Sequence, residues 1–201
     1  MADDWDWLTY YDAVQGKPPR ETLLKALDLF DKQPLPPSTR LAIDLGCGSG
    51  RDTFELLRRN WQVLAIDSSQ TAISYLLNHS DLSFNLLKTQ ITRFEDLTLP
   101  SPTDLVNASF SLPFCSPKYF PDFWNQITAS LRFGGRFCGQ LFGERDSWST
   151  NNSMTFHARN QLDILLENFE VEFFQEKEFI GYTALGDKKN WHTFDIVARK
   201  A

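Results

Sequence analysis

The chain has 201 residues, a formal net charge of −6 and an isoelectric point near 5.1, and 42% of its residues are hydrophobic. This length suits one domain with a buried core, and this apolar content argues against a chain that is disordered by composition. The acidic balance argues against a nucleic-acid binder with a broad basic face. No apolar stretch is long enough to span a bilayer.

The cysteine pattern indicates the compartment. Cys47, Cys115 and Cys138 are widely spaced and include no CxxC pair. An odd number at such spacing favours neither a disulfide framework nor a zinc site, and it is typical of a reducing environment. The N-terminus begins with acidic and aromatic residues and lacks the basic and apolar segments of a signal peptide. We therefore predict a cytoplasmic protein without a bound metal.

Residues 1–38 are predicted to form a helical cap. Apolar residues recur at helical spacing from Leu23 to Phe30, after a start at Pro18-Pro19, and the proline-rich residues 33–39 end this helix. Aromatic residues that precede it either cover a bound ligand or pack on the sheet; they are Trp5, Trp7, Tyr10 and Tyr11.

From residue 41 onward, short apolar runs alternate with segments of helical periodicity. The predicted strands cover residues 41–45, 62–67, 84–91, 104–110, 136–142, 170–174 and 193–198. The predicted helices cover residues 52–59, 69–78, 120–131 and 162–169. This order predicts an α/β fold with a doubly wound, mostly parallel seven-stranded sheet, a last antiparallel strand and helices on both faces. No linker divides the chain, so residues 1–201 are predicted to be one domain.

A glycine-rich turn follows the first predicted strand. Gly46, Gly48 and Gly50 stand at alternate positions, where they allow a sharp turn and a close approach of the backbone to a ligand. The helix that follows offers free N–H groups to an anionic group. Asp67 closes the second strand 17 positions after Gly50. In doubly wound sheets, an acid at this place holds a pair of ribose hydroxyls.

The ligand of this turn differs from a dinucleotide. The dinucleotide fingerprint needs a glycine where this chain has Arg51, which weakens a pyrophosphate site. Asp44, just before the turn, suits a positively charged amino group. A ligand with a ribose, an adenine and a zwitterionic amino acid satisfies all these features.

The segments DLGCGSG at 44–50 and AIDSS at 65–69 resemble the first two motifs of class I S-adenosylmethionine-dependent methyltransferases. The resemblance implies a Rossmann-like sheet, S-adenosylmethionine as the cofactor and methyl transfer as the activity. Further segments are similar to later family motifs, and the last two are similar to small bacterial methyltransferases of the tellurite-resistance type; they are residues 94–97, 104–114, 131–137, 143–148 and 190–200.

The resemblance also implies roles for single residues. The loop glycines would surround the methionine part with Asp44 near its amino group, Asp67 would bind the ribose, and Arg93 stands where many relatives have an acid for the adenine. The cofactor-binding residues implied are Asp44, Gly46, Cys47, Gly48, Gly50, Asp67, Ser68, Phe94, Glu95, Asn107 and Phe110.

Side-chain chemistry adds two cofactor candidates. Tyr11 offers an aromatic face to a sulfonium cation, and Arg20 offers a bidentate partner to the methionine carboxylate.

A general base is needed only if the methyl acceptor arrives protonated. The candidates are His192, His157, Glu144 and Asp146. His192 would reach the ligand edge of the sheet beside Trp191 if the last strand is antiparallel, although a structural histidine is equally consistent with the pattern. Glu144, Asp146 and Trp148 follow the fifth strand, where acceptor-binding loops belong.

The sequence leaves the acceptor and the oligomeric state unidentified. The small size and acidic charge favour a small-molecule acceptor, such as a metalloid oxyanion or a thiol, over DNA or RNA. Two other interpretations stay open. One is a nicotinamide-dependent oxidoreductase on the same type of sheet. The other is a non-catalytic domain that binds the cofactor or a partner protein.

Overall fold

The computed structural model describes residues 7–34, 39–78 and 84–201. Trp5 and most of the proline-rich stretch therefore lie outside the described residues. The helices are α1 (Trp7–Val14), α2 (Glu21–Asp31), α3 (Thr53–Arg58), α4 (Gln70–Leu77), α5 (Phe120–Ser130) and α6 (Arg159–Leu165). The strands are β1 (Leu41–Leu45), β2 (Gln62–Asp67), β3 (Leu87–Ile91), β4 (Thr103–Ala108), β5 (Leu131–Gly143), β6 (Phe156–His157), β7 (Phe169–Tyr182) and β8 (Lys188–Lys200). Single 3-10 turns lie at Phe84–Leu86, Phe94–Asp96 and Leu112–Phe114.

The strands form one sheet in the order β3-β2-β1-β4-β5-β8-β7, with the two-residue β6 paired to β5. Strands β1 to β5 are parallel, and β8 runs antiparallel to both β5 and β7. This confirms the predicted mostly parallel sheet with a last antiparallel strand. The additional β6 is too short to produce a periodic sequence pattern.

Helices cover both faces of the sheet, as predicted. On one face, α5 contributes Phe123 and Ile127 to a buried cluster that includes Ile43 and Val106 of the strands. On the other face, the apolar sides of α2, α3 and α4 pack on alternate strand residues such as Ala42. Successive strand residues point to opposite faces, and because helices cover both faces β1 and β4 are buried along almost their whole length.

Helix α2 joins the N-terminal cap to the far half of the sheet. It packs against β5 and β8 and fully buries Leu23, Leu27 and Phe30. It begins at Glu21 rather than at the predicted Pro18-Pro19, and Arg20 is extended. The backbone N–H of Arg20 donates to Asp52 instead of entering the helix. This contact fixes where the cap meets the sheet.

Strands β7 and β8 are longer than predicted and form a hairpin that closes through residues 183–187. The sequence pattern marked only residues 170–174 and 193–198, because β7 is an edge strand with many charged residues. No helix within the described ranges is long and apolar enough to cross a membrane.

Candidate active site

The glycine loop leaves β1 at the carboxyl edge of the sheet. Gly46 has φ +64° and Gly48 has φ +53°, a region that side chains rarely adopt. A Cβ atom at Gly46 would lie 2.4 Å from the Cβ of Ser111, which follows β4. Ser111 in turn donates from Oγ to the carbonyl of Leu45 at 2.6 Å. Only glycine therefore allows this loop to sit so close to the end of β4.

Asp67 is held at the end of β2 by two backbone donors. One carboxylate oxygen accepts from the N–H of Gly48 and the other from the N–H of Ser69, each at 2.9 Å. Burial raises the pKa of Asp67, and these backbone bonds oppose that shift. A carboxylate offers about four acceptor sites, so Asp67 keeps capacity for a donor from a ligand.

A buried carboxylate pair lies beneath the loop. Asn107 donates from Nδ2 to Asp44 at 2.8 Å and to Asp52 at 3.1 Å. Thr53 donates to the second oxygen of Asp44, and Ser109 donates to Asp52, each at 2.6 Å. Burial, and then the charge of Asp52, raise the pKa of Asp44 to about 7. Asp52 is not among the site residues predicted from the sequence. It is the first residue of the predicted helix at 52–59, and nothing in the sequence pattern indicates a second buried acid beside Asp44.

The N-terminal cap contacts the loop directly. Tyr11 is 2% exposed, and its ring lies 3.5 Å from the position that a Cβ atom at Gly48 would take. The backbone N–H of Arg20 donates to Asp52 at 2.9 Å, and its guanidinium lies 4.4 Å from the ring centroid of Phe110. Cap and loop thus form two sides of one cleft.

The cleft is a cavity of about 930 Å³ at the carboxyl edge of the parallel strands. Most of the predicted cofactor-binding residues line it: Tyr11, Arg20, Asp44, Gly46, Cys47, Gly48, Asp67, Ser68, Phe94, Glu95 and Phe110. Gly50 and Asn107 do not line it. A Cβ atom at Gly50 would meet Leu76 and Phe54, so that glycine serves packing, and Asn107 lies below the loop between the two buried acids.

Comparison with known proteins matches part of the chain to a family. Residues 42–135, somewhat less than half of the chain, match the family model of a methyltransferase domain. No curated protein sequence matches the chain.

Solved structures share the fold of this chain. TehB from Haemophilus influenzae superposes with a TM-score of 0.75 at 16% identity, over 90% of this chain and 62% of TehB. The chain thus spans less than two thirds of TehB. The 1,6-didemethyltoxoflavin-N1-methyltransferase of Burkholderia thailandensis, solved with 1,6-didemethyltoxoflavin and S-adenosylhomocysteine, gives a TM-score of 0.68 at 18% identity, over all of this chain and 83% of that one. Magnesium protoporphyrin IX methyltransferase from Synechocystis PCC 6803, solved with S-adenosylhomocysteine, gives 0.62 at 12% identity, over 96% and 84% of the two chains. The fold is that of S-adenosylmethionine-dependent methyltransferases.

The four predicted base candidates do not line the cavity. His192 reaches the predicted edge of the sheet, but its side chain is fully buried and packs on Phe194, 4.9 Å between ring centroids. Its Nδ1 accepts from the backbone N–H of Arg145, and its Nε2 lies 2.9 Å from Glu176. Trp191 lines the cavity because neighbouring residues of a strand point to opposite faces. The structure therefore assigns His192 to the sheet rather than to the site.

The other three candidates have structural surroundings. His157 is buried against Phe120, and desolvation lowers its pKa to about 4. Asp146 is buried and forms an ion pair with Lys189. Glu144 is exposed and lies outside the lining of the cavity. None of them is placed to take a proton from a bound acceptor.

Residues in and around β5, β7 and β8 complete the cavity. Trp148 and Trp191, both named as candidates near the acceptor, do line it. The polar residues Gln140, Lys177 and Asp195 also line it, and sequence reasoning missed all three. Across the described ranges, no group of three or more histidine, cysteine or acidic side chains is arranged to hold a metal ion.

Proposed function

We propose that this methyltransferase binds S-adenosylmethionine in the cavity between cap and sheet and transfers its methyl group to a small-molecule acceptor. The observation that carries the proposal is the pairing of a positive-φ glycine loop with Asp67 at the same edge of the sheet. The S-adenosylhomocysteine in two proteins of the same fold supports the choice of cofactor.

The residues of the cavity fit each part of that cofactor. Asp67 keeps acceptor capacity for a ribose hydroxyl, and Phe94 and Glu95 line the cavity where the adenine of the cofactor would lie. Asp44 offers a carboxylate to the methionine ammonium, and Arg20 offers a cation to the methionine carboxylate. The volume of about 930 Å³ is near the upper end of ligand pockets, so it has room for the cofactor and a small acceptor together.

The bound cofactor supplies a methyl group activated by its positively charged sulfur. The protein holds the two reactants in an attack geometry and keeps water out. Tyr11 covers the glycine loop, and the bond between the backbone of Arg20 and Asp52 keeps the cap closed over the cavity. The protein therefore contributes by positioning the cofactor and the acceptor, and the acceptor attacks the methyl group with its own lone pair.

Residues 1–38 are proposed to act as the cap of a single domain. Two cap residues, Tyr11 and Arg20, line the cavity, so the site is complete only with this segment in place. A cytoplasmic location also belongs to the proposal, since Cys47, Cys115 and Cys138 are free and buried.

Isothermal titration tests the cofactor assignment. We expect S-adenosylmethionine and S-adenosylhomocysteine to bind with micromolar affinity and reduced nicotinamide adenine dinucleotide to show no binding. Binding of the nicotinamide alone would replace the proposal with the oxidoreductase. Binding of the sulfur compounds without methyl transfer to any member of a broad acceptor panel would support the non-catalytic domain instead.

A further inference from the structure

One wall of the cavity is aromatic and is formed by Phe110, Phe142, Trp148 and Trp191. Ring centroids of Trp191 lie 5.9 Å from those of Phe142 and Trp148, and 6.1 Å from that of Phe110. Such distances are those of direct edge-to-face and tilted contacts between rings. The wall is therefore a continuous surface rather than four separate side chains.

A buried cation supports the aromatic wall. Lys189 is 2% exposed, and its Nζ lies 4.1 Å from the ring centroid of Trp191 and 4.2 Å from that of Trp148. Lys189 also pairs with the buried Asp146, which accepts from the backbone N–H of Trp148 at 2.9 Å. Because the wall is packed against a neutralised ion pair, its rings are held in place before an acceptor arrives.

A polar strip shares the cavity with the aromatic wall and consists of Gln140, Lys177 and Asp195. Gln140 and Asp195 are directly opposite each other on β5 and β8, so their side chains are neighbours. Lys177 donates to one oxygen of Asp195 at 2.5 Å, which neutralises both charges. Gln140 donates from Nε2 to the hydroxyl of Thr22 at 3.0 Å.

The buried polar atoms of the strip that lack a hydrogen-bond partner are acceptors. Gln140 and Asp195 are 3% and 5% exposed, yet Oε1 of Gln140 and Oδ1 of Asp195 have no partner among the described residues. Buried acceptors without a donor are costly, so a ligand that brings donors gains here. The terminal torsions of both side chains are soft, and a small rotation turns either oxygen toward the cavity.

We propose that the methyl acceptor is a neutral, planar heteroaromatic compound that stacks on the aromatic wall and donates N–H groups to Gln140 and Asp195. This inference rests on the proposed function and names its substrate class. A metalloid oxyanion does not fit, because it adds acceptors and negative charge where two oxygens already lack donors. The single cation of the polar strip, Lys177, is already paired with Asp195.

The test is calorimetry on protein saturated with S-adenosylhomocysteine at pH 8, with benzimidazole, 1-methylbenzimidazole and sodium tellurite as probes. Benzimidazole is neutral and planar and has one N–H, and its methylated partner has the same ring without that donor. We expect benzimidazole to bind about tenfold more tightly than 1-methylbenzimidazole, the effect of one hydrogen bond to a charged group. Tellurite is expected not to bind.

Two variants test the contributions of the polar strip and of the aromatic wall to binding separately. Asp195→Asn should bring the two benzimidazoles within about twofold of each other, because an amide is a weaker acceptor than a carboxylate. Trp191→Leu should weaken both probes equally. Asp187→Asn removes an exposed charge from the turn of the same hairpin and should change neither.

The outcomes are distinguishable. Failure of S-adenosylhomocysteine to bind would overturn the proposed function itself. Binding of S-adenosylhomocysteine together with tighter binding of tellurite than of benzimidazole would overturn only the acceptor class. So would equal affinity of the two benzimidazoles for the unmodified protein, or absence of benzimidazole binding at millimolar concentration.

Discussion

The two halves of the cavity are built in different ways. In the cofactor half, one continuous segment from Asp44 to Asp52 supplies the glycine loop and both buried acids, and much of the contact surface is backbone. In the acceptor half, side chains from β5, β7 and β8 meet only because the strands pair in one register. A cofactor site made of local backbone can be kept while the acceptor half changes residue by residue.

The largest expected effect is on stability, and it follows from removing one member of the buried ion pair behind the aromatic wall. Lys189→Met leaves Asp146 as an unpaired buried charge, and we expect a loss of about 3–5 kcal/mol in the free energy of unfolding. Urea denaturation measures this. The double variant Lys189→Met/Asp146→Asn should recover part of the loss, since the amide oxygen still accepts from the backbone N–H of Trp148 while the N–H of His192 loses its carboxylate acceptor.

Lys188→Met is the matched control, because Lys188 is the exposed neighbour of Lys189. The affinity of folded Lys189→Met for S-adenosylhomocysteine should be unchanged, since Lys189 does not line the cavity. A stability equal to that of the control would show that the ion pair does not support the aromatic wall. A lower cofactor affinity would show that the two halves are coupled.

Asp67→Ala should lower the affinity for the cofactor without changing the residues of the acceptor half. The variant removes the proposed ribose acceptor and leaves the N–H groups of Gly48 and Ser69 without their partner. Hydrogen bonds to charged groups contribute about 1.5–3 kcal/mol each, so we expect affinity for S-adenosylhomocysteine to fall about a hundredfold. Calorimetry measures it, with Asp96→Ala at an exposed position as the control. Unchanged affinity would show that the ribose lies elsewhere.

The same contrast explains what the sequence could predict. The glycine loop and Asp67 follow from spacing along the chain, because β1 and β2 are adjacent parallel strands. To place His192, one must know which face of β8 its side chain occupies as well as the direction of the strand. Because side chains alternate between the two faces, His192 and Trp191 point to opposite sides of the sheet. Gln140 and Asp195 stand 55 positions apart, and only the register of β5 and β8 brings them together.

The role of Asp52 could not be predicted from the sequence for a different reason. Its position directly after the glycine loop suggests an ordinary start of a helix, and α3 does begin at Thr53. Its carboxylate instead accepts from Asn107, Ser109 and the backbone of Arg20. These partners come from two separate parts of the chain, the cap and the end of β4, so the tertiary fold alone assigns the role of Asp52 in joining cap, loop and sheet.

The smallest expected effect is the change of cofactor affinity with pH, and it involves Asp44 in the cofactor half only. Without ligand, burial and the charge of Asp52 raise the pKa of Asp44 to about 7, with a further contribution from Asp67. Ionisation of Asp44 therefore disfavours the folded ligand-free protein, so its contribution to stability falls as the pH rises from about 4 through 7.

A methionine ammonium beside Asp44 favours the carboxylate, so binding releases a proton and affinity rises with pH. Between pH 6 and pH 8 we expect the affinity for S-adenosylhomocysteine to increase about tenfold, which is about 1.4 kcal/mol. Calorimetry in two buffers of different ionisation enthalpy at pH 6 should detect about one released proton, and Asp44→Asn should abolish both effects. A flat profile for the unmodified protein, with Asp67→Ala still lowering affinity, would place the ammonium away from Asp44 while leaving the ribose site intact.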